Sequence, residues 1–252
     1  MRVAPYIDAL GLPGGARVDQ RVPKKLLLEH GAPTTSDRRQ IQDGIEELLW
    51  IAALKPSNIG VPAFRDEARE YLEIAVLTAS LRSGAKATRL TELIHRAIPY
   101  PVMLWTEQGG AVGLSLAHKR WSQGQAGEVV IEDVRRTAAF RSESLTAYVT
   151  AFLASLALSG LPAGDLYALY QGWLDRVAAL EAATVTGAFA LPATAERATA
   201  QRGALAARAK LQRDLATLRA QAEREKQVSR RVELNLDIRR LEAELAATAK
   251  AL

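Results

Sequence analysis

The chain of 252 residues contains no cysteine, which excludes disulfides, thiolate zinc sites, iron–sulfur clusters and a cysteine nucleophile. Histidine is scarce: His30, His95 and His118 are spaced too widely for a local two-histidine metal motif. No Gly-x-Ser-x-Gly elbow occurs. Gly84-Ala85-Lys86-Ala87-Thr88 lacks the spaced glycine and the Gly-Lys-Thr order of a phosphate loop, so it reads as a turn. A signal-peptide pattern and a run of about 20 apolar residues are also missing. A soluble cytoplasmic protein with no membrane partner is expected.

What is there suits a folded chain, with 48% hydrophobic and 24% charged residues. Charge is unevenly distributed. Residues 193–252 carry 13 Lys and Arg against 8 Asp and Glu, and this surplus of five is the net charge of the whole chain. The same stretch has one glycine, no proline and no aromatic residue. Such a composition favours long helix. Leu211, Leu215, Leu218 and Ala222 follow a 4-3-4 spacing, and Leu234, Ile238, Leu241 and Leu245 repeat it in another register. Between the two stripes the chain either continues as one helix through a stutter or turns back as a hairpin. The absence of Gly and Pro there favours continuity.

The preceding 192 residues hold 20 cations and 20 anions. Residues 1–31 show turn signals and little periodicity. Ile41, Ile45, Leu48, Leu49 and Ala52 form one helical stripe after a cap at Thr34, Thr35 or Ser36, stopped by Pro56. Residues 70–81 are apolar on both faces, as in an interior strand. Thr88 is expected to cap a helix carrying Leu90, Leu93, Ile94 and Ala97, with His95 off the apolar stripe and on the surface. Strands follow over 102–106, 111–118 and 128–134, with a turn at Gly109-Gly110. His118 shares parity with Leu114 and Leu116, as a hydrogen-bonded residue at the core edge. Two helices joined at Gly160-Leu161-Pro162 complete this part.

The fold class is therefore α+β: a small, mostly antiparallel sheet with flanking helices, then a helical hairpin and a long C-terminal coiled-coil-like helix. Residues 1–140 form the α+β domain, 141–190 a helical hairpin packed on it, and 191–252 a basic tail. The tail's narrow apolar stripe calls for self-association or docking on a partner. No catalytic, metal or cofactor residues are assigned. A metal-dependent nuclease would need converging carboxylates and a lysine. Glu73 and Lys119 are the members on offer, without an acid-x-Lys triplet on a strand.

Paired cations remain, among them Lys24-Lys25 and His118-Lys119-Arg120 beside Trp121, and they suit phosphates. Candidate contacts to nucleic acid or a partner are Arg21, Lys24, Lys25, Tyr100, His118, Lys119, Arg120, Arg224, Arg230 and Arg231.

Several segments occur in a familiar order: Arg21-Val22-Pro23-Lys24-Lys25, Leu49-Trp50, the strand at Leu72–Leu77, Leu93–Pro101 with its Ile98-Pro99-Tyr100-Pro101, and Ala117-His118-Lys119-Arg120. The sequence resembles the bacterial and archaeal family known as domain of unknown function 4391. That resemblance implies an accessory protein encoded beside helicases and DNA methyltransferases in anti-phage or restriction-type loci. The expected partners are such a helicase or methyltransferase, DNA, and a second copy through the C-terminal helix. The resemblance carries no catalytic residues, and it points to Lys24, Tyr100, His118 and Lys119 as positions to test. Two rival readings are a metal-dependent nuclease and a purely structural coiled-coil oligomer.

Overall fold

A computed structural model describes residues 3–124, 128–249 and 252. The chain forms two compact units, Met1–Val177 and Ala178–Leu252. In chain order the first unit holds α1 (Ala4–Ala9), β1 (Arg17–Arg21), α2 (Lys24–His30), α3 (Thr35–Gly44), β2 (Ile45–Leu54), α4 (Pro56–Ile59), β3 (Phe64–Arg65), β4 (Glu70–Tyr71) and β5 (Ile74–Leu81). It continues through α5 (Ala87–Ala97), β6 (Val102–Gln108), β7 (Ala111–Ala117), β8 (Lys119–Trp121), β9 (Val129–Ile131), β10 (Arg135–Arg136) and α6 (Ala147–Ser155) into α7 (Leu166–Thr186).

Six strands form one sheet in the order β1-β2-β5-β6-β7-β10. Only the β5–β6 pair is parallel, and α5 makes the crossover that parallel neighbours require. The remaining pairs are antiparallel, so the fold is α+β. β3–β4 and β8–β9 are separate two-stranded ribbons. Both edges of the main sheet are short or irregular. β1 reads Arg-Val-Asp-Gln-Arg, is largely exposed, and is interrupted between Arg17 and Gln20, where Asp19 takes a φ of 47°. β10 is two arginines long.

β5 is the interior strand that its apolar faces imply, with Ile74 to Leu77 fully buried. Leu77 and Leu104 from the sheet pack with Ile41 of α3 and with Leu90, Leu93 and Ile94 of α5 in one hydrophobic core. β7 buries Val112, Leu114 and Leu116 on one face as expected, and over its second half the opposite face is covered as well, with Ser115 and Ala117 buried.

The helix expected through Ala52 is corrected: α3 ends at Gly44 and Ile45 opens β2. β2 is hydrogen-bonded at both edges, to β1 and β5, and its Ile51, Ala52, Ala53 and Leu54 are buried on both faces of the sheet, which calls for apolar residues at consecutive positions. Ile45, Leu48 and Ala52 serve those faces as well as they would a helical stripe. Gly44 marks the change of structure, since a Cβ there would stand 2.8 Å from Leu90 Cδ1. Thr34 caps α3 as expected, its hydroxyl accepting from the Asp37 N–H at 3.1 Å. α5 begins at Ala87 behind Lys86, so Thr88 lies inside the helix.

The quiet N-terminal stretch contains α1 and β1, elements too short to declare a period. Tyr6 of α1 stacks on Trp105 at 5.6 Å and meets Phe140 edge-on. In α7, Trp173 donates to the Leu156 carbonyl at 3.0 Å. Arg176 ties down the turn after α6 through the carbonyls of Ser155 and Gly160.

The second unit comprises the end of α7, α8 (Ala195–Arg224) and α9 (Val228–Thr248). The expected continuity of the tail helix is corrected: the chain breaks at Glu225–Gln227 and α9 returns along α8. Glu225 is extended at ψ 124°, and its side chain accepts from the Gln227 N–H at 2.8 Å, so a carboxylate closes the turn without Gly or Pro. The return is antiparallel: Arg208 donates to the Leu245 carbonyl at 3.0 Å, and Gln201 reaches the Leu252 carbonyl. Leu215 is buried and Leu211, Leu218, Leu234, Ile238, Leu241 and Leu245 are half-buried, while most other positions of both helices are exposed. The two stripes serve as each other's cover.

Candidate functional site

A groove of about 880 Å³ opens in the first unit between the end of α2, the end of α5 and β9. Its lining includes Leu26, His30, Gly31, Trp50, Ile98, Tyr100, Val129 and Ile131. Pro99 follows α5 and Pro101 precedes β6, so Tyr100 is held between two residues with fixed φ. Its ring is 37% exposed and tilts against Trp50 at 6.2 Å. The Trp50 indole N–H donates to the Ala52 carbonyl at 2.9 Å, leaving the ring as an apolar wall.

A smaller cleft of about 250 Å³ shares Pro99, Tyr100 and Val129 and adds Leu72, Lys119, Arg120 and Trp121. The fold thus brings Tyr100, Lys119 and Arg120 together. The Lys119 ammonium nevertheless turns inward, donating to the carbonyls of His95 and of Ile98, the latter at 2.8 Å. It closes the C-terminus of α5, whose last carbonyls lack helical partners. Burial pushes Lys119 down to about 7. Arg120 bends onto the Trp121 carbonyl at 3.2 Å and lies 4.0 Å from Glu132.

His95 is corrected from surface to core. It is fully buried, with Nε2 3.0 Å from Ser115 Oγ, because α5 lies on the sheet and turns this position toward β7. Burial first, then the charges of Lys119 and Arg136, hold the imidazole well below its ordinary value, so it is neutral. His118 sits at the core edge as expected. Gln171 donates its amide to Asp175 at 2.8 Å, which leaves its oxygen for His118 Nε2 at 2.9 Å. Nε2 therefore carries the proton, and Nδ1 accepts from the Tyr71 hydroxyl. The imidazole also stacks on Tyr167 at 4.8 Å, and Arg69 lies 5.1 Å from the centre of that ring.

Glu73 does not meet Lys119 in an ion pair; its partner is Lys55 at 3.0 Å. Among the described residues, no three His, Asp or Glu side chains converge in a way that could hold a metal ion.

The other expected cations fall into two sets. Lys24 donates to the Gln42 carbonyl at 2.9 Å. Burial, then the nearby charges of Arg82 and Arg21, lower it from its ordinary value. Arg82 follows β5 and was not a candidate in the sequence; its backbone N–H bonds to Gly44 at 2.9 Å, and no sequence spacing announces that approach. Lys25 is apart from this set, exposed and 3.7 Å from Glu29. In the second unit Arg224, Arg230 and Arg231 are exposed around the hairpin turn, with Lys226 between them.

One surface has no counterpart among the sequence expectations. Val228, Val232 and Leu236 are 66%, 53% and 61% exposed on α9. Their i, i+4, i+8 spacing was the available signal, masked by the stronger inner stripe.

A family model described as a domain of unknown function (DUF4391) matches residues 10–245. No curated protein and no solved structure matches the chain. No helix among the described residues is long and apolar enough to cross a membrane.

Proposed function

The chain belongs to the DUF4391 family, and on that footing we propose that it is a non-catalytic accessory subunit of a DNA-directed anti-phage defence assembly. One observation carries the reading. Four of the five side chains weighed for acid–base or metal chemistry are engaged inside the protein: Lys119 on helix carbonyls, His118 between Tyr71 and Gln171, His95 on Ser115 and Glu73 on Lys55. The fifth, His30, lines the groove with no second histidine beside it in the lining. The features facing outward are suited to holding rather than cutting. They are an aromatic-walled groove at Trp50 and Tyr100 and a cationic turn at 224–231.

In this reading the groove receives a helicase or DNA methyltransferase of the same locus, and the hairpin turn adds phosphate contacts. Co-expression with those neighbours tests it. A stoichiometric complex that Tyr100→Ala with Trp50→Ala weakens at least tenfold supports the reading. Plasmid cleavage with magnesium or manganese that disappears in Glu73→Ala would replace it with a nuclease.

A further inference from the structure

α9 is apolar on two opposite faces. Leu234, Ile238, Leu241 and Leu245 turn toward α8, whereas Val228, Val232 and Leu236 lie about half a turn away and remain in water. Among the described residues, half of the exposed large hydrophobic side chains stand in this one row. Exposed apolar residues are ordinary when scattered, and informative when contiguous. Past Leu236 the next positions of the row are Arg239 and Arg240, and beyond them Ala243, Ala246 and Ala247 are exposed and small enough for a second backbone to approach. An i±4 ridge of this kind fits the groove of another helix.

The charges beside the ridge identify that helix. Arg231 lies beside it and Arg239 at its C-terminal end, neither with an ion-pair partner among the described residues, and Arg224, Lys226 and Arg230 extend the positive surface around the turn. The neighbouring acids are largely engaged: Glu242 by Arg219 at 2.6 Å, and Asp237 and Glu244 by Arg240. Glu233 is the acid left beside the ridge. A second copy would present the same surplus of cations to itself, which opposes self-pairing.

We propose that the outer face of α9 docks an amphipathic helix of a partner protein, with apolar residues seated on Val228, Val232 and Leu236 and acidic flanks meeting Arg231 and Arg239. This deepens the accessory-subunit reading by naming the chemistry of one partner surface.

The test uses the full chain and a fluorescein-labelled amphipathic peptide of about 21 residues, long enough to match α9, with leucine on its seam and glutamate on both flanks, read by anisotropy. The expected result is saturable binding that falls at least tenfold in Val232→Asn with Leu236→Gln. It should fall several-fold in Arg231→Gln with Arg239→Gln, and a lysine-flanked version of the peptide should not bind. The four positions are exposed, and circular dichroism checks that helix content is unchanged. Equal binding by the ridge variant, or no binding, overturns the proposal. So does a dimer in light scattering that the ridge variant abolishes, or ridge-dependent binding to phosphatidylcholine–phosphatidylserine vesicles. A ridge variant that still co-purifies with the neighbouring helicase or methyltransferase, while peptide binding fails, removes this site and leaves the accessory role standing.

Discussion

The Lys119 ammonium donates to the Ile98 carbonyl at 2.8 Å, joining the strand after His118 to the end of α5. Burial holds this lysine at about 7 in the folded protein, against an ordinary value of 10.5. Between those values the unfolded chain binds the extra proton, so stability rises with pH across that window and the penalty is fully present below about 7. Lys119→Met removes the titration and leaves two helix carbonyls without a donor, a loss of about 1–3 kcal/mol. Urea unfolding across the range from neutral to mildly alkaline pH should show the wild type gaining on the variant as pH rises. Parallel curves would refute the assignment.

Asp37 and Arg89 form a two-point ion pair at 2.8 and 2.9 Å, with Asp37 buried behind the first turn of α3. The Arg89 hydrogen bonds hold the Asp37 carboxyl at about 2 against the opposing effect of burial, and Thr34 assists. The stability they contribute is present above the usual carboxylate range and is lost as pH falls from about 4 toward 2. Arg89 is 35% exposed, so Asp37→Asn should cost about 2 kcal/mol, below the range for a fully buried pair. Denaturant midpoints at about pH 7 and about pH 3 measure it, and the gap between variant and wild type should narrow at the lower pH.

Gly31 ends α2 where it presses on α5. A Cβ there would stand 2.7 Å from the Leu93 carbonyl oxygen and 2.8 Å from Ala97 Cβ. Gly31→Ala should therefore overpack this junction and cost about 1–3 kcal/mol. Because Gly31 also lines the groove, partner capture should weaken at temperatures where the variant remains folded. A melting temperature equal to wild type would show that α2 shifts freely.

The cations around the hairpin turn should contribute to DNA affinity through the phosphate backbone. Replacing Arg224, Arg230 and Arg231 with Gln should flatten the slope of log affinity against log salt by about 3, one for each guanidinium removed from a phosphate. It should weaken binding to unrelated sequences alike. An unchanged slope would remove this turn from any role in holding nucleic acid.

Legibility followed how crowded the surroundings of each segment are. α8 and α9 turn their stripes to each other and leave most other positions exposed, so the stripes stood out in the sequence and are the covered positions of the structure. β7 was readable because its first half keeps the alternation, Val112 and Leu114 buried and Ala111 and Gly113 half-buried. β2 was not, because burial on both faces at Ile51, Ala52, Ala53 and Leu54 erases the period of two and leaves a pattern that a helix would also satisfy. His95 on α5 was misjudged because the position is polar, yet Ser115 on β7 supplies the hydrogen bond that makes burial tolerable. The hairpin turn rests on one side-chain bond from Glu225, which no composition rule marks. At the candidate site, Tyr100 and the cations could be named from sequence. The inward turn of Lys119 could not, since it depends on carbonyls more than twenty residues away in the chain.

The rims of the six-stranded sheet are poor templates for a foreign strand. One offers charged side chains along a ribbon kinked at Asp19, and the other presents two residues whose guanidinium groups are drawn to Asp133 and Glu92. A visiting chain would have to straighten the first or break ion pairs on the second before it could extend the ladder. Amyloid-like stacking through this sheet is thereby discouraged, and the protein should tolerate high local concentration.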